Sequence, residues 1–580
     1  MRASPWRFFI MRRKDCLDKI GRLVFLGYLL LSAAACGKTE QMPLGFLSGP
    51  AIEDNPNPAV PLAALLTFEA DRRVEARVEI MAGDRHRVLE YGPRVPGKQR
   101  LPLVGFSAGR HHEIRVTFSD VDGDAPPVTA ALEFTAPKLP ADVDGFPVIR
   151  TKRLSNAPME PGATLFNLIR RLPPTVAGMS TAQIERYNNA FGLLVALDAA
   201  GDVIWYYRGD ALITDFERLA NGNILFLTGD FRAVEIDLLG NTVAQWYAKR
   251  RPQGTLDGAT PVDTLTFHHD IDELPNGDFL VEGTTRRRIA GFRTSDRDEG
   301  ALRKAQWVMG DEVIIFRRDG EVLWRWDAFE HLDVHRIGYA TFDGFWAQRG
   351  FPETIDWSHG NAVVPLDDGS ILVSYRYQSA ITKVDRKTGE IVWIAGEPSG
   401  WGPELRGKLL TLKGAGKWFW HQHWPTLDPA GAMLVFDNAT FQARPFEKDV
   451  PPSRTRSRIV AYALDEEEMT IEETWSSVIP QDPPVASFAM GSTQYLDKTG
   501  NLLAGYGMLV SPKEGRDESW REILMRGRSR TRIREYTHEV PAAVAWELTA
   551  RARENDRGLG WNLFGAKRIE SFPLRGGDGL

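Results

Sequence analysis

The stretch Ser358–Glu397, SHGNAVVPLDDGSILVSYRYQSAITKVDRKTGEIVWIAGE, carries two units that recur along the chain. The first is a turn followed by an apolar strand, Asp368-Gly369-Ser370-Ile371-Leu372. The second is a glycine turn followed by a strand that ends in tryptophan, Gly389-Glu390-Ile391-Val392-Trp393. Working outward, the first unit returns at Asn221-Gly222, Asn276-Gly277, Ala430-Gly431 and Gly500-Asn501. The second returns at Gly201–Trp205, Gly240–Trp246 and Gly320–Trp324, with weaker copies ending at Trp475 and Trp546. Asn-Gly and Asp-Gly pairs flanked by apolar runs are hairpin signals. Self-similar strand units at long period mark a propeller or solenoid.

Six tryptophan strands imply six blades. A blade takes ~40–50 residues, so the longer intervals hold loop insertions that would cover one end of a channel. A large aromatic at one repeated strand position is read as packing between blades. Ala566–Phe572 is the candidate closing strand, since closure removes exposed sheet edges. Residues 58–140 differ. They alternate as short half-buried strands, for example Arg73–Ile80 and His112–Phe118, separated by turns, which predicts a small β-sandwich. The expected chain is all-β: a signal segment over 1–35, a polar tether over 36–57, a sandwich over 58–140 and a six-bladed propeller over 150–580. His86, His111 and His112 are expected on the sandwich surface.

The leader has basic residues Arg12, Arg13, Lys14, Lys19 and Arg22, an apolar run Leu23–Leu31, and Ser32-Ala33-Ala34-Ala35 before Cys36. The run is too short to span a bilayer, and the order is that of an export signal. Small residues before a cysteine resemble a bacterial lipoprotein signal, so Cys36 is the expected lipidated first residue of a periplasmic, membrane-anchored protein. The only other cysteine is Cys16, so the processed chain has no internal disulfide. Removing residues 1–35 takes away seven basic and two acidic residues and leaves 64 and 75, a formal charge of −11. Such a chain has no general electrostatic attraction for nucleic acid.

Three histidines stand out. His269 precedes Gly277 by eight residues and His423 precedes Gly431 by eight, so they share one register. Thr214 and Ser492 occupy that register in two further repeats. His359 lies two residues further from its turn. Inner strands of a propeller line its channel, so these imidazoles are expected to converge. Three histidines suit a metal ion. Against that, no acidic residue repeats at the register, and a cluster of histidine, Arg376 and asparagine suits an oxyanion. A metal-dependent propeller enzyme and a non-catalytic binding propeller remain the alternatives at this point. His331 and His335, at helical spacing, are placed on an insertion near the channel mouth and given no role.

The stretch quoted above, followed by Gln422-His423-Trp424-Pro425 and Phe436-Asp437-Asn438, resembles the bacterial aryl-sulfate sulfotransferases. The match is clearest from about residue 265 to 480, with H-x-N, R-x-Q-S, D-R-K-T-G-E and Q-H…F-D-N in order. The resemblance implies transfer of a sulfuryl group from a phenolic sulfate donor to a phenol acceptor, without the nucleotide donor PAPS and without a cofactor or metal. It implies a ping-pong route through a sulfohistidine, with His423 as nucleophile and His269, His359, Asn361 and Arg376 as the other site residues. Arg444 is family-like. Tyr375 and Trp424 are candidates for stacking on aryl groups. A homodimer is a further expectation.

The chemistry is coherent on its own terms. A neutral imidazole is a nucleophile, and a phenoxide, whose conjugate acid has a pKa near ~10, needs modest help to leave. His359 or His269 can supply and then remove a proton. Arg376 and Asn361 can hold the equatorial oxygens of a sulfuryl group in transfer.

Overall fold

The computed structural model describes residues 44–572 except 124, 143, 144, 514, 555 and 557. The expected signal segment and Cys36 lie outside the described residues.

The N-terminal module packs two sheets. One holds Phe46–Asp54, Ala64–Ala70 and Gly97–Leu103; the other holds Arg85–Arg94, Val74–Ala82, His111–Asp120 and Val128–Thr135. Val74, Ala76, Val78 and Ile80 point inward and meet Leu66, Phe68, Val116 and Phe118, as the period-two pattern requires. Two expectations need correction here. Residues 46–54, assigned to the tether, form an edge strand of the sandwich. Phe46 anchors it edge-to-face on Phe68 and Phe118, at 6.3 and 4.8 Å. An edge strand buries few side chains, so its composition resembled a linker. His112 is buried rather than exposed. The alternation of its strand turns it inward, where its Nε2 accepts the Ser107 amide at 3.0 Å.

Beyond this module the described residues form six antiparallel sheets, the blades of a β-propeller. Their innermost strands are Ala566–Ile569, Ile213–Arg218, His268–Glu273, Gly360–Pro365, His423–Leu427 and Ser492–Tyr495, in blades 1 to 6. Each lies beside the next around the ring, and Lys567 of blade 1 pairs with Glu217 of blade 2. Closure is double. Ala566–Ile569, from the chain's C-terminal part, pairs with Ala163–Arg171 inside blade 1. Val148–Arg153 pairs with Val544–Arg551 as the outermost strand of blade 6.

The repeated tryptophans sit on the fourth strands and join blades. The indole N–H of Trp205, Trp246 and Trp475 donates to Leu238, Arg318 and Glu539 carbonyls, at 2.9, 2.8 and 2.9 Å, each in the strand-3/strand-4 turn of the next blade. Trp393 reaches the Glu466 carboxylate in the same turn of blade 5 at 2.8 Å. In blade 3 this place belongs to Trp326, bonded to the Gly389 carbonyl at 2.8 Å, and Trp324 is only half-buried. The repeat had been aligned two residues early there, on the first tryptophan of Trp324-Arg325-Trp326. His331 stacks on Trp326 at 4.6 Å, beside the outer strand of blade 3 rather than at the channel mouth.

Candidate active site

Asp272 pairs with Leu280 and Thr426 with Leu434, so the two inner strands share one register beyond the histidines. At the histidines themselves His268 pairs with Glu282 and His423 with Phe436, so His268 rather than His269 holds the paired place of His423. The pairing slips at the same place in three blades, between His268 and Ile271, Gly360 and Ala362, and His423 and Thr426. Such bulges re-aim side chains. The backbone there is also strained: His269, His359, His421 and Trp424 have φ of 59°, 50°, 53° and 48°, as do Ser379 at 44° and Met490 at 63°. Left-handed conformations at non-glycine residues gather where function over-determines the backbone.

His269 and His359 meet edge-to-face at 4.9 Å, and both are buried. Phe345 closes on them, 4.7 Å from His359 and 6.0 Å from His269. Tyr377 lies 4.6 Å from His359, and Phe564 lies 5.6 Å from His269. Arg376 is tied to the same place through its amide, which donates to the His359 carbonyl at 3.0 Å. Its guanidinium lies over Tyr377 and Phe488 and donates from Nη2 to the Phe488 carbonyl at 3.2 Å. Its buried Nε has no partner, and no carboxylate among the described residues forms an ion pair with it.

The hydrogen bonds fix the tautomers. Asn438 donates from Nδ2 to the Ser487 and Met490 carbonyls, at 3.1 and 2.9 Å, which turns its Oδ1 toward His423 Nδ1 at 2.7 Å. Nδ1 therefore carries the proton, and Nε2 carries the lone pair that accepts the Met490 amide at 3.1 Å. His268 donates from Nε2 to the Gly283 carbonyl at 3.1 Å, so its Nδ1 accepts from His269 Nδ1 at 2.7 Å and leaves His269 Nε2 bare. His359 Nδ1 faces Asp356 Oδ2 at 2.5 Å, and Asp356 also accepts the Trp346 indole at 3.0 Å.

Burial pushes the pKa of His423 well below its ordinary value, with the Arg376 charge acting the same way and the bond to Asn438 opposing it. Burial and Arg376 lower His359, and burial and His359 lower His269. Burial also drives Asp356 well above the usual carboxylate range, aided by the charge of Asp343. At neutral pH the site holds uncharged imidazoles around a cation, which is the electrostatics of an anion trap that leaves its nucleophile unprotonated.

Other expected site residues lie differently. Asn361 donates from Nδ2 to the Gln422 carbonyl at 2.7 Å, so it braces the peptide that leads into His423. Tyr375 is fully buried in the core between blades, and Tyr377, the next residue but one, takes its place beside the histidines. Arg444 is exposed and pairs with Glu447 at 2.5 Å, outside the cluster. Trp424 packs beside Phe564 at 6.1 Å, on the wall next to His269. Sequence reasoning missed Phe345, Asp356 and Met490, which lie in insertions or between repeats. It quoted Asn438 without giving it a role. It also gave no place to His421, a buried imidazole 5.9 Å from Tyr377 whose Nδ1 has no partner among the described residues.

His268, His269 and Glu282 place one potential ligand atom each within 4.8 Å of the others. The two imidazole nitrogens, however, are 2.7 Å apart and share a proton. Two ligands of a tetrahedral zinc ion stand about 3.3 Å apart at ordinary bond lengths. As arranged, the pair orients His269. A separate cavity of about 750 Å³ lies between the N-terminal module and blades 1 and 2, lined by Arg87, Tyr91, Arg218 and Phe572 among others, and contains none of the clustered histidines.

The arrangement defines a propeller whose bulged inner strands carry the histidines, with Arg376 supplied from the end of the second strand of blade 4. A family profile for arylsulfotransferases (ASST) matches residues 165–553, and the chain belongs to that family. It is 23% identical over 333 residues to the arylsulfate sulfotransferase AssT of Escherichia coli O6:H1, covering 48% of this chain and 51% of the relative. It is 24% identical over 335 residues to AssT of Lelliottia amnigena, with the same coverage. The chain thus spans about half the length of the curated relatives it matches. Among solved structures it is similar to a protein of unknown function from Bacteroides caccae (12% identity, 70% of this chain, 98% of that one, TM-score 0.35). It is also similar to a virginiamycin B lyase from Staphylococcus aureus (10%, 70%, 100%, 0.29). Scores this low add nothing to the fold read from strand pairing.

Proposed function

We propose that this chain is an aryl-sulfate sulfotransferase that moves a sulfuryl group from a phenolic sulfate ester to a phenol through a sulfohistidine on His423, independently of PAPS. The observation that carries the reading is Arg376, a buried guanidinium without a carboxylate partner, set among neutral imidazoles of which His423 has its Nε2 lone pair fixed by Asn438. Membership of the arylsulfotransferase family supports it.

In the first half-reaction Nε2 of His423 attacks sulfur, the N–S bond forms and the S–O(aryl) bond breaks. The electron pair leaves on the phenoxide. The positive charge that develops on the ring is shared with Nδ1–H, which Asn438 Oδ1 accepts. Arg376 would bond the sulfuryl oxygens, as would the Met490 amide once the sulfate displaces it from Nε2. The Asp356–His359 pair serves as acid and base. When it holds one proton, on Nδ1, the Nε2 of His359 is a base. A second proton taken by the pair lies on Nε2 and is available to the leaving phenoxide. In the second half-reaction the same Nε2 removes the acceptor's phenolic proton as its oxygen attacks sulfur, the N–S bond breaks, and the pair is reprotonated for the next cycle.

The test is covalent labelling with a ³⁵S-labelled aryl sulfate. The wild-type protein is expected to acquire acid-labile label and to pass it to an added phenol, and His423→Ala to acquire none. Label retained by His423→Ala rules out the nucleophile. We also propose that the protein is exported to the periplasm and held at a membrane by a lipid on Cys36, on the strength of the order of basic, apolar and small residues before it. Mass spectrometry of the mature N-terminus decides that point.

A further inference from the structure

The site holds more positive charge than one sulfuryl group needs. The Arg349 guanidinium lies on the face of Phe345, 3.6 Å from the ring centroid, and the same ring meets Trp346 and the catalytic candidates His359 and His269. These contacts place the guanidinium within about 8 Å of the His359 ring, within reach of anything bound there. Its bond to protein runs from Nη1 to the Phe345 carbonyl at 2.9 Å. Among the described residues no carboxylate forms an ion pair with it. Arg171, the exposed last residue of the strand Ala163–Arg171, is close enough for its charge to act on Arg349 and likewise forms no ion pair among the described residues. The Arg171 charge reinforces burial in pushing Arg349 down to about 10. Asp343 acts on both arginines from nearby, but its Oδ2 already accepts the Tyr377 hydroxyl at 2.5 Å.

The charges of Asp343 and Asp356 act on Arg349 without forming an ion pair with it among the described residues, so its guanidinium keeps donors free for an anionic ligand. The sulfuryl group is assigned to Arg376, whose amide bonds the His359 carbonyl, and this leaves Arg349 to a second anion. An aryl sulfate supplies it if its ring carries an anionic substituent. By ordinary bond lengths a carboxylate opposite the ester oxygen lies about 7 Å from the sulfur. That length falls within the span of up to about 8 Å from the His359 ring to Arg349, with the aryl ring beside Phe345. We propose that Arg349, with Arg171, forms an anion subsite that selects aryl sulfates and phenols bearing a carboxylate opposite the reacting oxygen. The inference deepens the sulfotransferase reading and rests on it for the identity of the reacting group.

Product phenols separate binding from chemistry. Calorimetry on the full chain compares 4-hydroxybenzoate with its uncharged counterpart 4-hydroxybenzamide, and turnover compares the sulfate esters of the two. The carboxylate is expected to bind about tenfold to a hundredfold more tightly, as a charge-assisted pair with arginine does. In Arg349→Gln that ratio is expected to fall to within about twofold, with a smaller fall in Arg171→Gln and partial retention in Arg349→Lys. Taking the ratio within each variant cancels any loss of folded protein, and a residue that merely braced Phe345 would move both ligands alike. Equal affinities in the wild type, or a preference that survives Arg349→Gln, overturns the subsite. A carboxylate preference in binding with no turnover of either ester sinks the sulfotransferase reading and leaves the subsite standing. Turnover of both esters without preference does the reverse.

Discussion

The Met490 amide donates to Nε2 of His423 at 3.1 Å, the nitrogen left bare by the bond from Nδ1 to Asn438. The nucleophile is therefore held in one tautomer by two groups of opposite kind, an acceptor on Nδ1 and a donor on Nε2. On the proposed mechanism an incoming sulfate would take the place of the donor on Nε2, and the released N–H would then face the sulfuryl oxygens. Met490 holds this position at a left-handed φ of 63°. Nitrogen-15 NMR of histidine-labelled protein is expected to show His423 as the Nδ1–H tautomer, still unprotonated at pH ~6.5, where an ordinary imidazole is half protonated, because its folded pKa lies well below that value. Asn438→Leu removes the acceptor. It should mix the tautomers and slow sulfo-enzyme formation by about two orders of magnitude or more, as wrong-tautomer triads do. An unchanged tautomer in that variant contradicts the assignment.

Arg376→Gln separates two roles of one charge. As a donor to the sulfuryl oxygens, Arg376 is expected to contribute about 100- to 1,000-fold to sulfo-enzyme formation. As a neighbouring cation it lowers the pKa of His423 and His359, so its removal must raise both toward the ordinary imidazole value. Protonated His423 cannot attack. The acid limb of the labelling rate should therefore move to higher pH in Arg376→Gln, on top of the fall in its plateau. A slower variant with an unmoved acid limb would place Arg376 away from His423.

The Asp356–His359 pair makes a leaving-group prediction. Expelling 4-nitrophenoxide needs little protonation, whereas expelling unsubstituted phenoxide needs a proton from the doubly protonated pair. The pair loses that second proton as pH rises. Single-turnover labelling from phenyl sulfate should fall with rising pH, and labelling from 4-nitrophenyl sulfate should change little over the same range. Asp356→Asn leaves Nδ1 without its acceptor carboxylate and should cost phenyl sulfate at least about tenfold more than 4-nitrophenyl sulfate. Equal losses on both esters would assign the proton to another group, with His269 next in line.

The propeller was legible because the turn pairs and strand-ending tryptophans repeat, and repeats are local in sequence. The registers of His269 and His423 could be counted for the same reason. What the sequence concealed was set by contacts across blades or by insertions. Phe345 and Arg349 lie in the insertion between blades 3 and 4, where no period guides the reading. Tyr375 and Tyr377 are equally plausible on paper. Only the end of the strand Ile371–Tyr375 decides that the first faces the core and the second the site. Asn361 sits in the motif that implies oxygen binding, yet its amide goes to the Gln422 carbonyl, a long-range bond no spacing reveals. Arg444 matched a family pattern, but Glu447, three residues on, holds it at the surface.

Glu282 gives the last prediction, on stability. It is wholly buried beside Asp311 and Asp270, with its Oε2 3.8 Å from His268 Nδ1. Burial drives its pKa well above the ordinary value, with the charge of Asp311 next in effect, and burial also raises Asp311 to about 7. In the unfolded chain a glutamate titrates near ~4.3. Between that pH and the folded pKa, the folded state holds a proton that the unfolded state has lost. The contribution is therefore fully present at low pH and is lost as pH rises through the folded pKa, at up to about 1.4 kcal/mol per pH unit. Glu282→Gln keeps the shape and removes the titration. Its Tm relative to wild type should climb steadily from pH 5 to pH 8 and be positive at the upper end. A variant less stable than wild type at pH 8 would mean that Glu282 is ionised there and held by a cation, and the neutral, proton-sharing account of the His268–His269 pair would have to be rebuilt around that ion.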